Sequence, residues 1–242
     1  MAGSVGTTGS VGTTGSVGTT GSVGIGPYTA VLFDLDGTLL DSFGSIADLT
    51  DLALVEAGHA PCDRDSLRRL IGLPLEEVFR QVWPFEPSAD DVTRAMATYR
   101  AAQLAGASPT FFAGAPELVA SLRAAGKRLA IVTTKGTPAA RRALTDGDVI
   151  DSFGAVIGGD IVPHLKPHPA PAEMALRELG VAARDAVVVG DTTHDIHMGV
   201  SAGCRAVGVT WGAHDAATLH GAGAAAVATE MAALRAILLD DR

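Results

Sequence analysis

Lysine is scarce in this chain. Its 242 residues include only Lys127, Lys135 and Lys166, so a lysine inside a motif is seldom there by chance. Acids outnumber bases 27 to 18, and the net charge is −9. Nucleic-acid binding calls for Lys and Arg clusters against phosphate backbones, so a balance this acidic argues against it, and against an anionic membrane surface too. A small anionic substrate would need a local group of cations to overcome the overall field. Cysteine is limited to Cys62 and Cys204, which form no CxxC and no zinc pattern. They read as reduced thiols of a cytoplasmic protein. No apolar run reaches the roughly 18 residues of a membrane span. The N-terminus has no basic region followed by an apolar core, so it does not read as a signal peptide.

Charge is also missing at the start, where nothing charged precedes Asp34. Residues 3–26 repeat Gly-Ser-Val-Gly-Thr-Thr, with glycine at every third position from Gly3 to Gly24. That is the collagen period without its proline. Such a tract has little side chain to bury and much backbone entropy to lose. Residues 1–28 are therefore expected to be a flexible tail, dispensable for activity.

From Tyr28 onward the pattern is α/β. Apolar runs at Ala30–Phe33, Leu129–Val132, Ala155–Ile157, Ala186–Val189, Ala206–Val209 and Ala225–Ala228 read as strands. Helical spacing marks Ser45–Gly58, Asp65–Trp83 with a break at Gly72 and Pro74, Ala89–Ala105, and Pro116–Ala125 with glycine just past its end. Alternating strands and helices predict a Rossmann-like parallel sheet with helices on both faces. The long helical stretch between the first two strands exceeds one crossover and predicts an inserted α-helical cap domain. The expected division is a core of 29–43 and 114–242 with a cap of 44–113.

Ligands of open parallel sheets bind at the carboxyl ends of the strands. The first run is followed by Asp34, Asp36, Gly37 and Thr38; the second by Thr133, Thr134 and Lys135. Lys166 lies beyond the third, and Gly190, Asp191 and Asp195 follow the fourth. Acids, hydroxyls and a lysine should thus meet on one edge of the sheet. Grouped carboxylates suit Mg2+. A carboxylate can attack phosphorus and split one hard step into two. A second acid two residues on lies on the same side of an extended chain and can move the proton. A hydroxyl and a lysine can hold the transferring oxygens.

Taken in order, Phe33-Asp34-Leu35-Asp36-Gly37-Thr38, Thr133, Lys166 and Gly190-Asp191-Thr192-Thr193-His194-Asp195 resemble the four motifs of the haloacid dehalogenase-like hydrolase superfamily. The resemblance spans about residues 29–235. It implies Asp34 as nucleophile and metal ligand, and Asp36 as general acid/base that lends the metal its carbonyl. It implies Thr133, Thr134 and Lys166 as phosphate ligands and Asp191 as a further metal ligand. Gly37, Thr38, Gly190 and Asp195 would support them, Asp195 by steadying the metal shell or orienting Lys166. Thr134 stands where many relatives carry Asn, and its hydroxyl can still bond a substrate oxygen. The helical insertion resembles the superfamily's cap.

Residue arguments narrow the chemistry. The spacing after Asp34 excludes an EF-hand, whose glycine belongs where Leu39 sits, and no P-loop motif occurs. Asp36 argues against halide displacement, which needs no proton. Residues 44–113 hold no lysine, which excludes a Schiff base from the cap. Leu70-Ile71-Gly72-Leu73-Pro74 and Gly208-Val209-Thr210-Trp211-Gly212 are similar to the phosphoglycolate phosphatase group, which also contains pyrophosphatases. The expected partner is a small phosphorylated metabolite, phosphoglycolate-like or a sugar phosphate. Arg68, Arg69 and Gly72 are the candidates for reading it, with Tyr99-Arg100 a further pair of that kind. Pyrophosphate hydrolysis, a β-phosphoglucomutase-like transfer and a non-catalytic binding protein are the competing readings. Lys135 reads as a strand-end cap or a substrate ligand, and His194 and His197 as surface residues.

Overall fold

The computed structural model describes Met1 and residues 25–239. Most of the glycine repeat lies outside the described residues. Its last two residues, Ile25 and Gly26, are described. Ile25 and Tyr28 are buried. The Arg205 guanidinium donates to the carbonyls of Ile25 and Pro27, and Lys127 Nζ donates to Tyr28 O at 2.9 Å.

Eight strands and ten α-helices are present among the described residues. The strands are β1 Ala30–Phe33, β2 Leu40–Asp41, β3 Thr110–Phe111, β4 Arg128–Val132, β5 Ala155–Ile157, β6 Ala186–Gly190, β7 Arg205–Val209 and β8 Ala226–Ala228. The helices are α1 Phe43–Glu56, α2 Arg64–Arg68, α3 Leu75–Gln81, α4 Ala89–Ala105, α5 Ala115–Ala124, α6 Thr137–Asp146, α7 Ala170–Leu179, α8 Thr193–Ser201, α9 Ala216–Gly221 and α10 Met231–Leu239. Six strands form one parallel sheet in the order β5-β4-β1-β6-β7-β8.

The strands are short and apolar because the sheet is covered on both faces. Side chains alternate between two layers, as the period of a strand requires. Val31, Phe33, Ile131, Val187 and Val189 pack on one face with Leu118 and Leu122 of α5, Leu144 of α6 and Leu234 of α10. Ala30, Leu32, Ala130, Val132 and Val188 pack on the other with Ala172, Ala175 and Leu176 of α7 and Met198 of α8. The second layer is rich in alanine, which lets α7 and α8 lie close to the strands.

This strand order places the site. After β1 the chain adds β4 and β5 on one side, then crosses to β6 on the other. The central strand β1 pairs with β4 and with β6, so the three strands that carry the motif residues are neighbours. All run in one direction, and their carboxyl ends open on the crevice where the order reverses.

The stretch between the first two sheet strands is not helical only, as the periodicity suggested. β2 and β3 pair antiparallel, Leu40 opposite Phe111 and Asp41 opposite Thr110, and draw the two ends of the insertion together. Two residues are too few for a periodic signal to show in the sequence. Helices α1, α3 and α4 share an apolar cluster of their own, with Leu54, Phe79, Trp83, Val92 and Tyr99. α4 starts with a capping box in which Ser88 and Asp91 satisfy each other's backbone N–H groups. No helix among the described residues is long and apolar enough to cross a membrane.

Leu122 of α5 is fully buried in the first layer. Leu122→Ala should lower unfolding stability by about 2–5 kcal/mol, measured by chemical denaturation, with no loss of activity per folded molecule.

Candidate active site

The turn after β1 brings the first two acids to the crevice. Asp34 N donates to Val189 O at 2.8 Å, holding the end of β1 against β6. The chain then folds back, with Gly37 N donating to Leu40 O and Leu40 N to Leu35 O, both at 2.9 Å. Gly37 has φ 88°, and a Cβ there would come within 2.4 Å of Asp191 Oδ2. Only glycine allows this turn to lie against that carboxylate. Gly190 has a similar task at the end of β6, since a Cβ would fall 2.2 Å from that of Asp195.

Lys166 lies at the centre of the cluster. Its Nζ donates to Asp34 Oδ1 and to Asp195 Oδ1, each at 2.6 Å. The three side chains are at most a tenth exposed. Thr192 caps α8 and donates from Oγ1 (2.6 Å) and N (3.1 Å) to Asp195 Oδ2. Asp191 accepts from Thr38 Oγ1 at 3.0 Å and from Ala213 N at 2.8 Å. Thr133 is buried at the end of β4, and its Oγ1 accepts from Lys135 N at 3.2 Å. Lys135 Nζ turns to Asp36, donating to both carboxylate oxygens at 2.9 and 2.7 Å. The lysine is therefore more than a strand-end cap.

The charges do not balance. Asp34, Asp191 and Asp195 bring one oxygen each within 4.8 Å of one another. Three carboxylates face one ammonium, so two negative charges lack a partner, and burial makes each expensive. Burial lifts the Asp34 carboxyl well above its ordinary range, the Lys166 charge opposes this, and the Asp195 and Asp191 charges add to the lift. Asp191 is pushed up to about 7, by burial first and by the Asp195 charge next. Burial pulls the Lys166 ammonium down, but Asp195 and Asp34 outweigh it and keep the lysine protonated above its usual range. A divalent cation fits the site: it supplies the missing charge, and the oxygen donors are those a hard cation takes.

Above the cluster is a cavity of about 490 Å³. Asp34, Asp36, Thr134, Lys135, Lys166 and Asp195 line its core side, and α1, α3, α4 and the segment Leu70–Pro74 close it from the insertion. Gly72 lines it against the Thr192 side chain. Arg68 and Arg69 do not line it. The Arg68 guanidinium lies 3.8 Å over the Phe43 ring, and Arg69 donates to Ser66 Oγ at 2.8 Å. Both side chains are engaged by neighbours outside the cavity lining. The arginine that lines the cavity is Arg100 of α4. Its signal was the Tyr99-Arg100 pair on a helix whose opposite face packs inward.

Other supporting groups had weaker signals. Trp211 Nε1 donates to Thr38 O at 3.0 Å, and His214 Nδ1 accepts from Thr193 N at 3.0 Å. Both reach the site from the loop after β7. His197 is exposed, while His194 is half-buried and its Nδ1 has no hydrogen-bond partner among the described residues. Cys62 and Cys204 are free thiols.

Buried acids grouped at the switch point of an open parallel sheet are the arrangement of an α/β enzyme that binds its ligand outside the strand ends. The chain belongs to the haloacid dehalogenase-like hydrolases, whose family pattern matches residues 31–209. It is similar to "Probable phosphatase IndB" of Dickeya dadantii, 39% identical over 76% of this chain and 82% of that protein. It is 37% identical to a phosphoglycolate phosphatase of Pectobacterium atrosepticum over 74% and 79% of the two chains. A crystal structure of a predicted phosphoglycolate phosphatase from Haemophilus somnus superposes with a TM-score of 0.78 at 25% identity, covering 87% of this chain and 98% of that one.

The uncompensated acids give a stability test. A carboxyl raised in the folded state binds its proton more tightly than in the unfolded chain, so stability is highest when the group is protonated in both. Without divalent cation, the thermal midpoint should fall as pH rises from roughly 4 to about 7, the value to which Asp191 is pushed. Calorimetry in EDTA should show this slope, and millimolar Mg2+ should remove it.

Proposed function

We propose that this hydrolase is a Mg2+-dependent phosphatase that cleaves a small phosphate monoester through an aspartyl-phosphate. The observation that carries this reading is the Asp34 carboxylate, held by Lys166 beside Asp191 and Asp195, with Asp36 facing the same cavity. The similarity to proteins named phosphatase and phosphoglycolate phosphatase supports the reaction class.

The residues act in two steps. A carboxylate oxygen of Asp34 attacks phosphorus as the bond to the leaving oxygen breaks, and Asp36 gives that oxygen a proton. Asp36 then takes a proton from water, whose oxygen attacks phosphorus. The bond to Asp34 breaks, its carboxylate is restored, and inorganic phosphate leaves. Lys166, Thr133 and Thr134 hold the transferring oxygens as charge moves onto them. Asp34, Asp191 and the Asp36 carbonyl would hold Mg2+, which when bound offsets the acid repulsion and attracts the phosphate. Gly37, Thr38, Gly190 and Asp195 hold this arrangement. The insertion, residues 44–113, serves as a lid that keeps bulk water from the acyl-phosphate.

Asp34→Asn removes the nucleophile at almost constant volume. Phosphate release should fall at least about 10³-fold, and EDTA should abolish it in the unaltered enzyme. An Asp34→Asn enzyme with full activity would end the covalent mechanism.

Lys135 has a part in this scheme because it holds the carboxylate that moves the proton. The two-oxygen contact fixes where the Asp36 carboxylate sits, and so where the proton meets the leaving oxygen. Lys135→Met should therefore lower kcat/KM for an alkyl phosphate about tenfold more than for p-nitrophenyl phosphate, whose leaving group needs no proton. Equal losses would mean that Lys135 serves only the structure.

A further inference from the structure

The cavity is larger than the chemistry at its floor requires. Its 490 Å³ falls in the roughly 300–1,000 Å³ range that holds ligands of drug size. On the phosphatase reading, the phosphate end belongs on the floor. Above it, Ile46, Leu70, Leu73 and Met96 form an apolar wall contributed by the insertion. Such a wall is filled favourably only by apolar ligand surface.

The neighbouring wall has different chemistry. Tyr99, Arg100 and Gln103 lie within about one turn of α4, and all three line the cavity. The other cavity cations, Lys135 and Lys166, are committed to carboxylates. Arg100 has no ion pair or hydrogen bond with another described residue. Its charge nevertheless reaches across the cavity to Asp160. Burial raises that carboxyl, while hydrogen bonds from Thr137 and the weaker pull of Arg100 bring it below its usual range. Tyr99 is buried against Phe79, ring centroids 6.0 Å apart, and its hydroxyl has no hydrogen bond among the described residues. A guanidinium and a phenol that no described residue hydrogen-bonds, on one helix turn beside an apolar wall, form a binding edge.

We propose that the cavity takes a phosphate ester whose alcohol has a bulky apolar body and carries an anionic group on one edge for Arg100. The phosphate end rests on the phosphatase reading; the leaving-group subsite rests on the insertion's residues. Phosphoglycolate, with two carbons, sets its carboxylate beside the phosphate and leaves the apolar wall bare. An aromatic or ring-sized alcohol covers that wall and extends far enough to bring its anion to α4.

Binding can test the subsite without turnover. In the full chain carrying Asp34→Asn, with Mg2+ present, calorimetry measures Kd for phosphoglycolate, phenyl phosphate, and 3- and 4-carboxyphenyl phosphate. One carboxyphenyl isomer should bind at least about tenfold tighter than phosphoglycolate. Adding Arg100→Ala should weaken that isomer about ten- to a hundredfold relative to phenyl phosphate, the worth of a hydrogen bond to a charged group. Met96→Trp, which fills the apolar wall, should weaken both aryl ligands relative to phosphoglycolate. The proposal is overturned if phosphoglycolate binds as tightly as the best aryl ligand, or if Arg100→Ala shifts carboxyphenyl and phenyl phosphate equally. Phosphate release by the unaltered enzyme is scored separately. Its absence on every ester would refute the phosphatase reading, while the Kd pattern would still decide the subsite.

Discussion

The short double contact of Lys166 with Asp34 and Asp195 is the constraint on which the rest of the site depends. One ammonium cannot neutralise three buried carboxylates, so the folded chain carries a standing electrostatic cost at the carboxyl edge of its sheet. The sheet can bear it because the strands beneath are sealed on both faces by apolar layers. The cost also explains why the site suits anions and cations together. A dication relieves the acids, and the relieved site can then accept phosphate in a protein whose overall charge would repel it.

Much of this was legible in the sequence, for reasons tied to particular residues. β1 and β5 have the bounds that their apolar runs suggested, and α4 runs from Ala89 to Ala105 as its spacing predicted. Long or fully apolar elements leave a periodic trace. The parallel sheet implied by alternating strands and helices then put Asp34, Thr133 and Asp191 at one edge. The two-residue strands β2 and β3 left no such trace, because their pairing spans the whole insertion.

The cavity wall was harder to read than its floor. Arg68 and Arg69 stood next to a suggestive loop, but α2 aims them at Phe43 and Ser66. Arg100 was one charge among many on a long amphipathic helix, and only the packing of α4 against α1 and α3 shows which way it faces. Lys135 is intermediate between these cases. Its scarcity marked it as purposeful, but its partner Asp36 lies 99 positions away and became apparent only in three dimensions. Floor residues follow strand ends, which topology orders; wall residues depend on helix rotation, which one sequence does not encode visibly.

The attachment of Ile25 and Pro27 to Arg205 has a practical consequence. Arg205 opens β7 and Ile25 precedes β1, so the contact sits at the amino edge of the sheet, across the core from Asp34 and Lys166. Anything joined upstream of Ile25 is therefore rooted on the back of the enzyme. A surface coupled just before Ile25 would hold the molecule with its mouth outward.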